Sequence, residues 1–109
     1  MAMRDFIIMT SRVDYQPVKV DDILFLESLE GRTKIHLIKD ELYVNHSLSY
    51  MVNQLGDEII QCHRKYAVNT EKVTAYNKSE LKIDQTIISL GRKYKTLFFE
   101  SMLSKGNLI

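Results

Sequence analysis

Only four glycines and one proline punctuate the 109 residues, tryptophan is missing and cysteine occurs once. Each shortage excludes something. Gly31, Gly56, Gly91 and Gly106 are solitary, so no glycine-rich loop is present to cradle a phosphate. One cysteine permits no internal disulfide. No apolar run approaches the roughly 18 residues of a membrane-spanning helix, and the start Met1-Ala2-Met3-Arg4 lacks the apolar region of a secretion signal. A soluble, cytoplasmic protein is the expectation. Charge of one sign is also scarce: fifteen Lys and Arg against fourteen Asp and Glu give a net +1. That balance excludes a uniformly basic nucleic-acid binder and leaves local cationic patches open.

What is present suits one globular domain over residues 1–109, with 45% hydrophobic residues for a single modest core. A strand pattern begins almost at once, at Phe6, and this abrupt start predicts a piece of a longer chain. Period-two patterning predicts short strands at Phe6–Thr10, Tyr15–Val20, Leu24–Ser28, Lys34–Lys39, Glu41–Val44, Ile59–His63, Tyr66–Asn69, Val73–Asn77, Glu80–Ile83 and Thr86–Ser89. Their close spacing favours antiparallel hairpins, because parallel pairs need long crossovers. In "SLSYMVNQLG", Leu48, Met51, Val52 and Leu55 fall on one helical face, with Ser47 as N-cap and Gly56 as stop. "SLGRKYKTLFFESMLSKG" predicts a second helix with Ser89 as N-cap and Tyr94, Leu97, Phe98 and Met102 on one side. Phe99 and Leu103 widen that apolar arc, either for a deeper core contact or as a surface for a partner.

Catalytic and metal chemistry find little support. Cys62 and His63 are strand neighbours and point to opposite faces, so they form a poor pair for a metal or a proton relay. His36 and His46 lie in separate elements without a cysteine nearby, short of the four ligands that structural zinc requires. Cys62 reads as a small core residue and His63 as a hydrogen-bonded structural one. No catalytic residue, metal ligand or cofactor is expected.

The cations are different because they gather where the chain turns. Arg32 and Lys34 flank the turn at Gly31, Arg64 and Lys65 separate two strands, and Arg92, Lys93 and Lys95 open the last helix. Cations at a helix N-terminus oppose its dipole by about 0.3–1 kcal/mol each. Three clusters at three turns point to a phosphate-bearing ligand.

Those residues also carry a resemblance. "DDILFLESLEGRTKIHL", "CHRKYAVNTEKV" and "ISLGRKYK", in that order, resemble the LytTR family of bacterial DNA-binding output domains over about Arg4 to Ser104. The resemblance implies a mainly β fold: elongated antiparallel strands in small packed sheets, one short helix and a C-terminal helix. It further implies double-stranded DNA as partner, contacted by loops in the major groove, and an upstream receiver domain of a two-component response regulator with dimers on DNA. The family's base-reading positions fall at Arg32 or its neighbours, Arg64 and Arg92. Lys34, Lys65, Lys93 and Lys95 are then expected to meet phosphates. Two positions depart from the family pattern: Lys65 stands where a serine is common, and Gly91 where a small polar residue often precedes the arginine. The competing reading is a protein-interaction module that docks through the apolar face of the C-terminal helix. A third reading is a β domain binding a small ligand or RNA; against single-stranded RNA stand the scattered tyrosines and the missing tryptophan.

Overall fold

The structure, a computed structural model, describes residues 5–9, for their backbone, and residues 15–106. Ten strands and two α-helices are found among them: β1 (Asp5–Met9), β2 (Tyr15–Lys19), β3 (Ile23–Leu29), β4 (Arg32–Leu37), β5 (Glu41–Val44), α1 (Leu48–Leu55), β6 (Ile59–His63), β7 (Tyr66–Asn69), β8 (Ala75–Tyr76), β9 (Glu80–Ile83), β10 (Thr86–Ser89) and α2 (Lys95–Leu103). All strand pairs are antiparallel. They form a β1-β2 ribbon, a five-stranded sheet ordered β5-β4-β3-β7-β6 and a three-stranded sheet ordered β10-β9-β8. This is the mainly β architecture that the strand spacing predicts. Pro17, the lone proline, is tolerated in β2 because a two-stranded ribbon consists of edges only.

The central sheet serves two cores. One face packs Leu26, Ile35 and Ala67 against Leu48, Met51 and Leu55 of α1. The other packs Phe25, Cys62 and Val68 against Leu81, Ile88 and Phe98 of the small sheet and α2. A strictly alternating strand would divide its residues evenly, but β3 carries an irregularity between Ile23 and Phe25. A second irregularity lies between Gln61 and His63 of β6. Such bulges change which face the following side chains meet. Ile23 and Leu26 therefore serve the α1 core while Phe25 serves the other. Phe98 is wholly buried there, a burial that contributes about 1.5–3 kcal/mol.

Asn69 ties the end of β7 to β3 and to the 3-10 turn that precedes it. Its buried Nδ2 donates to the carbonyls of Val20 (3.3 Å) and Ile23 (2.9 Å), and its Oδ1 accepts from the N–H of Glu71 at 3.0 Å. All its polar groups are thereby satisfied at a site where an unpaired one costs about 1–3 kcal/mol.

Helix α1 follows its capping code: Ser47 Oγ accepts from the Tyr50 N–H at 3.2 Å, and Gly56 ends the helix. The second helix departs from expectation. Ser89 is not its N-cap but the last residue of β10, where it pairs with Glu80. A 3-10 turn at Arg92–Tyr94 intervenes, and α2 begins at Lys95 with Tyr94 in the N-cap position. Only Lys95 of the three cations thus stands in α2. Along α2 Phe98 is buried, Phe99 and Met102 are half-buried, and Leu97, expected on the apolar face, points outward at 54% exposure. The strand expected at Val73–Asn77 shrinks to β8, because Thr70–Lys72 forms a 3-10 turn and Asn77 folds its side chain over the next turn. Thr10, the end of the first predicted strand, lies outside the described residues.

Candidate nucleic-acid interface

Arg64 and Lys65 form the two-residue loop between β6 and β7, whose flanking residues His63 and Tyr66 pair. So tight a loop exposes both cations, and three neighbours brace it. Gln61 Nε2 donates to the His63 carbonyl at 3.1 Å, and His63 Nδ1 accepts from the Lys65 N–H at 3.1 Å. The Ser28 N–H donates to the Lys65 carbonyl at 2.8 Å. His63 is thus a turn brace, the structural role its sequence context predicts.

The segment before α2 is fastened to the same loop. The Gly91 N–H donates to the Cys62 carbonyl at 2.7 Å, and the Tyr94 N–H returns to the Gly91 carbonyl at 3.0 Å, closing the turn that bears Arg92 and Lys93. The approach is close: a Cβ on Gly91 would lie 3.1 Å from Tyr94 Cδ2 and 3.4 Å from His63 Cα. The Leu90 N–H donates to the Ser79 carbonyl at 2.9 Å, which brings the turn carrying Lys78 alongside.

At the β3-β4 tip, Leu29 pairs with Arg32 around Glu30 and Gly31, whose φ angles are +48° and +84°. Two positive φ values in a two-residue loop match the primed turns that suit strand twist, and glycine meets that demand without strain. Arg32 opens β4 and lies over the Tyr43 ring, its Cζ 5.1 Å from the centroid. Lys34, two residues on, is 5.6 Å from the same ring and 3.1 Å from Glu41 Oε2. The Glu41 carboxylate beside it holds its ammonium above the usual lysine value. His36 follows on the same face, stacked on Phe25 and donating from Nε2 to Glu27 Oε1 at 3.0 Å.

The three turns share one end of the molecule. Register sets Glu27 opposite both Lys34 and Tyr66, so the β3-β4 and β6-β7 loops leave the sheet in the same direction. The Ser28–Lys65 and Gly91–Cys62 hydrogen bonds then hold the three segments side by side. Arg32, Arg64, Lys65, Arg92 and Lys93 are exposed there, and among the described residues none of them forms an ion pair. Lys95 is half-buried. Lys34, which the sequence groups with the others, is committed to Glu41.

Cys62 lies directly beneath this end and is fully buried, its Sγ 3.7 Å from the Tyr66 carbonyl. Burial pushes the thiol up to about 12, so it stays protonated and poorly nucleophilic. The supports Ser28, Gln61 and Tyr43 were not singled out in the sequence. Only Tyr43 carried a local signal, an aromatic residue on the strand after the Arg32-bearing one.

Comparison with known proteins bears on the family and the fold. The sequence model of the LytTr DNA-binding domain family matches residues 14–102. Among solved structures, the fold is similar to a LytTr DNA-binding domain of a methyl-accepting/DNA response regulator from Bacillus cereus, with a TM-score of 0.74 at 19% identity. That similarity covers 90% of this chain and 95% of the other. No curated protein sequence matches the chain.

Proposed function

This chain belongs to the LytTr DNA-binding domain family, whose sequence model spans residues 14–102, and from that premise we propose that it binds double-stranded DNA sequence-specifically through the turns at its cation-bearing end. The observation that carries the reading is the fastening of the Arg92 turn to the Arg64 loop through the Gly91–Cys62 hydrogen bond, with the Arg32 hairpin drawn alongside through Ser28 and Lys65. Turns so held can enter one major groove together without each being ordered at the moment of binding, which lowers the entropic cost of association.

Arg64 and Arg92 are assigned to base edges. A guanidinium donates two hydrogen bonds to guanine O6 and N7, a contact worth about 1–3 kcal/mol of discrimination. Lys65, Lys93 and Lys95 are assigned to phosphates, which fix register and make affinity fall with salt. Lys34 contributes less to that term, since Glu41 already balances it. Only three lysines, Lys65, Lys93 and Lys95, are assigned to phosphates, which implies weak non-specific binding. An upstream receiver domain that dimerises would raise effective concentration on paired sites and so act as the switch of a two-component regulator.

Selection from a random duplex pool at two salt concentrations tests the proposal: a recurring motif retained at the higher salt supports it, and sequence-independent recovery that disappears with salt contradicts it.

One observation favours a second reading. Leu97 and Leu103 of α2 are 54% and 49% exposed, a surface that suits a protein partner. Analytical ultracentrifugation of the domain with and without the selected duplex separates the two: self-association without DNA that Leu97→Ser abolishes favours the docking module.

A further inference from the structure

We propose that Tyr43 is a positioning residue: its ring holds the Arg32 guanidinium in place, and through Arg32 it sets how strongly the β3-β4 tip contributes to sequence discrimination. The inference rests on the DNA-binding reading above and adds a residue to it.

Three observations converge on β5. Register places Tyr43 opposite Lys34, so Arg32, two residues before Lys34 on β4, is its diagonal neighbour on the same face. Diagonal neighbours across an antiparallel pair come within reach of long side chains. The Arg32 Cζ accordingly lies 5.1 Å from the ring centroid, inside the range where the ring face attracts a cation. Lys34, the other cation at this ring at 5.6 Å, also pairs at 3.1 Å with Glu41, two residues along β5 on Tyr43's own face. Tyr43 thus faces both cations, but only Lys34 also has a carboxylate partner, and the Arg32 guanidinium is left on a neutral surface.

The distinction matters chemically. A carboxylate partner would occupy the planar donor edge of Arg32, whereas a ring takes its face and leaves the N–H groups available to a base pair. Arg32 also needs such support. It follows directly on a two-residue turn and is exposed, so without a platform its side-chain freedom would be lost only on binding. Tyr43 is 41% exposed on an edge strand, so little core packing depends on it.

The test is a double-mutant cycle on a duplex recovered from the random pool by the wild-type domain, together with single-base-pair variants of that duplex. Tyr43→Ala is expected to weaken binding about two- to fivefold, the size of an exposed cation–π contact. The loss should fall at the base pairs to which Arg32→Ala becomes indifferent. Tyr43→Phe keeps the ring and restores binding. Tyr43→Leu keeps apolar cover without a ring face and behaves as Tyr43→Ala, while thermal unfolding of each variant checks the fold. In an Arg32→Ala background, Tyr43→Ala adds nothing. Additive losses, or binding by Tyr43→Leu equal to wild type, overturn the inference. If Arg64→Ala weakens binding while Arg32→Ala does not, the DNA reading stands and the role of Tyr43 falls. If the wild-type domain recovers no duplex, both fall together.

Discussion

Gly91 is fastened to Cys62 by a 2.7 Å backbone hydrogen bond, and this one link brings the Arg92 turn to the Arg64 loop although 27 residues of sequence lie between the two arginines. Both segments owe their position to residues that make no contribution of charge. Gly91 lacks the Cβ that would press on Tyr94, and Cys62 is a small buried residue on a strand bulge. The cationic end is thus built on an uncharged joint.

The joint itself is open to test. Gly91 has an ordinary φ of −73°, so Gly91→Ala strains no backbone, and its Cβ would meet Tyr94 Cδ2 at 3.1 Å. The expected stability change is within about 1 kcal/mol, because reduced unfolded-state entropy offsets the closer contact. Gly91→Val adds methyl groups facing the backbone of His63 and should cost about 1–3 kcal/mol as overpacking. Urea midpoints measure both, and Gly91→Val should also weaken binding of the selected duplex. A valine variant as stable and as tight as wild type would remove the joint from the account.

Arginine and lysine at the interface should separate experimentally. Arg64→Ala and Arg92→Ala are each expected to cost about 1–3 kcal/mol against the selected duplex and to narrow its preference over mismatched ones. Lys93→Ala should weaken all sequences alike and flatten the salt dependence. Competition titrations against a mismatch series distinguish the patterns, and uniform weakening by Arg64→Ala would move that residue to the phosphate class.

Much of this was legible in the sequence, for a local reason. Most short strands and the Ser47 cap of α1 depend on neighbours within a few residues and fall where period and capping chemistry place them, although the strand expected at Lys34–Lys39 runs instead from Arg32 to Leu37. The start of α2 was misplaced because Ser89 satisfies a cap pattern locally while its backbone is claimed by Glu80 across a ladder. The two bulges were invisible, since two hydrophobic neighbours such as Phe25 and Leu26 leave the pattern silent about which core each enters. At the site, cations on turns could be read directly. Their convergence could not, because it depends on Ser28 reaching Lys65 and Gly91 reaching Cys62.

Lys34 shows the same limit and yields a prediction. Its pairing with Glu41 follows from inter-strand register. Lys65→Ala should lower the slope of log affinity against log salt by about 0.9, the value of one phosphate contact. Lys34→Ala should change it little, and Glu41→Gln, which frees Lys34, should steepen it. Equal flattening by both lysine variants would show that Glu41 yields Lys34 to DNA.

Cys62 carries a pH prediction with a definite sign. Its folded thiol is raised from 9.0 to about 12, so above pH 9 the unfolded chain releases this proton first and unfolding is favoured. The contribution of Cys62 is therefore complete below about pH 9 and declines as pH rises toward 12. The stability advantage of wild type over Cys62→Ala, from urea midpoints, should narrow across that range. The native thiol should also resist iodoacetamide until the chain unfolds. Rapid native-state alkylation would show that β6 opens.

The most direct measurement is a titration of the isotopically labelled domain with the selected duplex, following backbone amide resonances. The account predicts that the largest shifts cluster at Arg32, at His63 to Tyr66 and at Gly91 to Lys93, while the outward residues of α2 and the β4-β5 turn at Ile38 to Asp40 stay fixed. Shifts centred on Leu97 and Leu103, with the Arg64 and Arg92 turns unmoved, would contradict it.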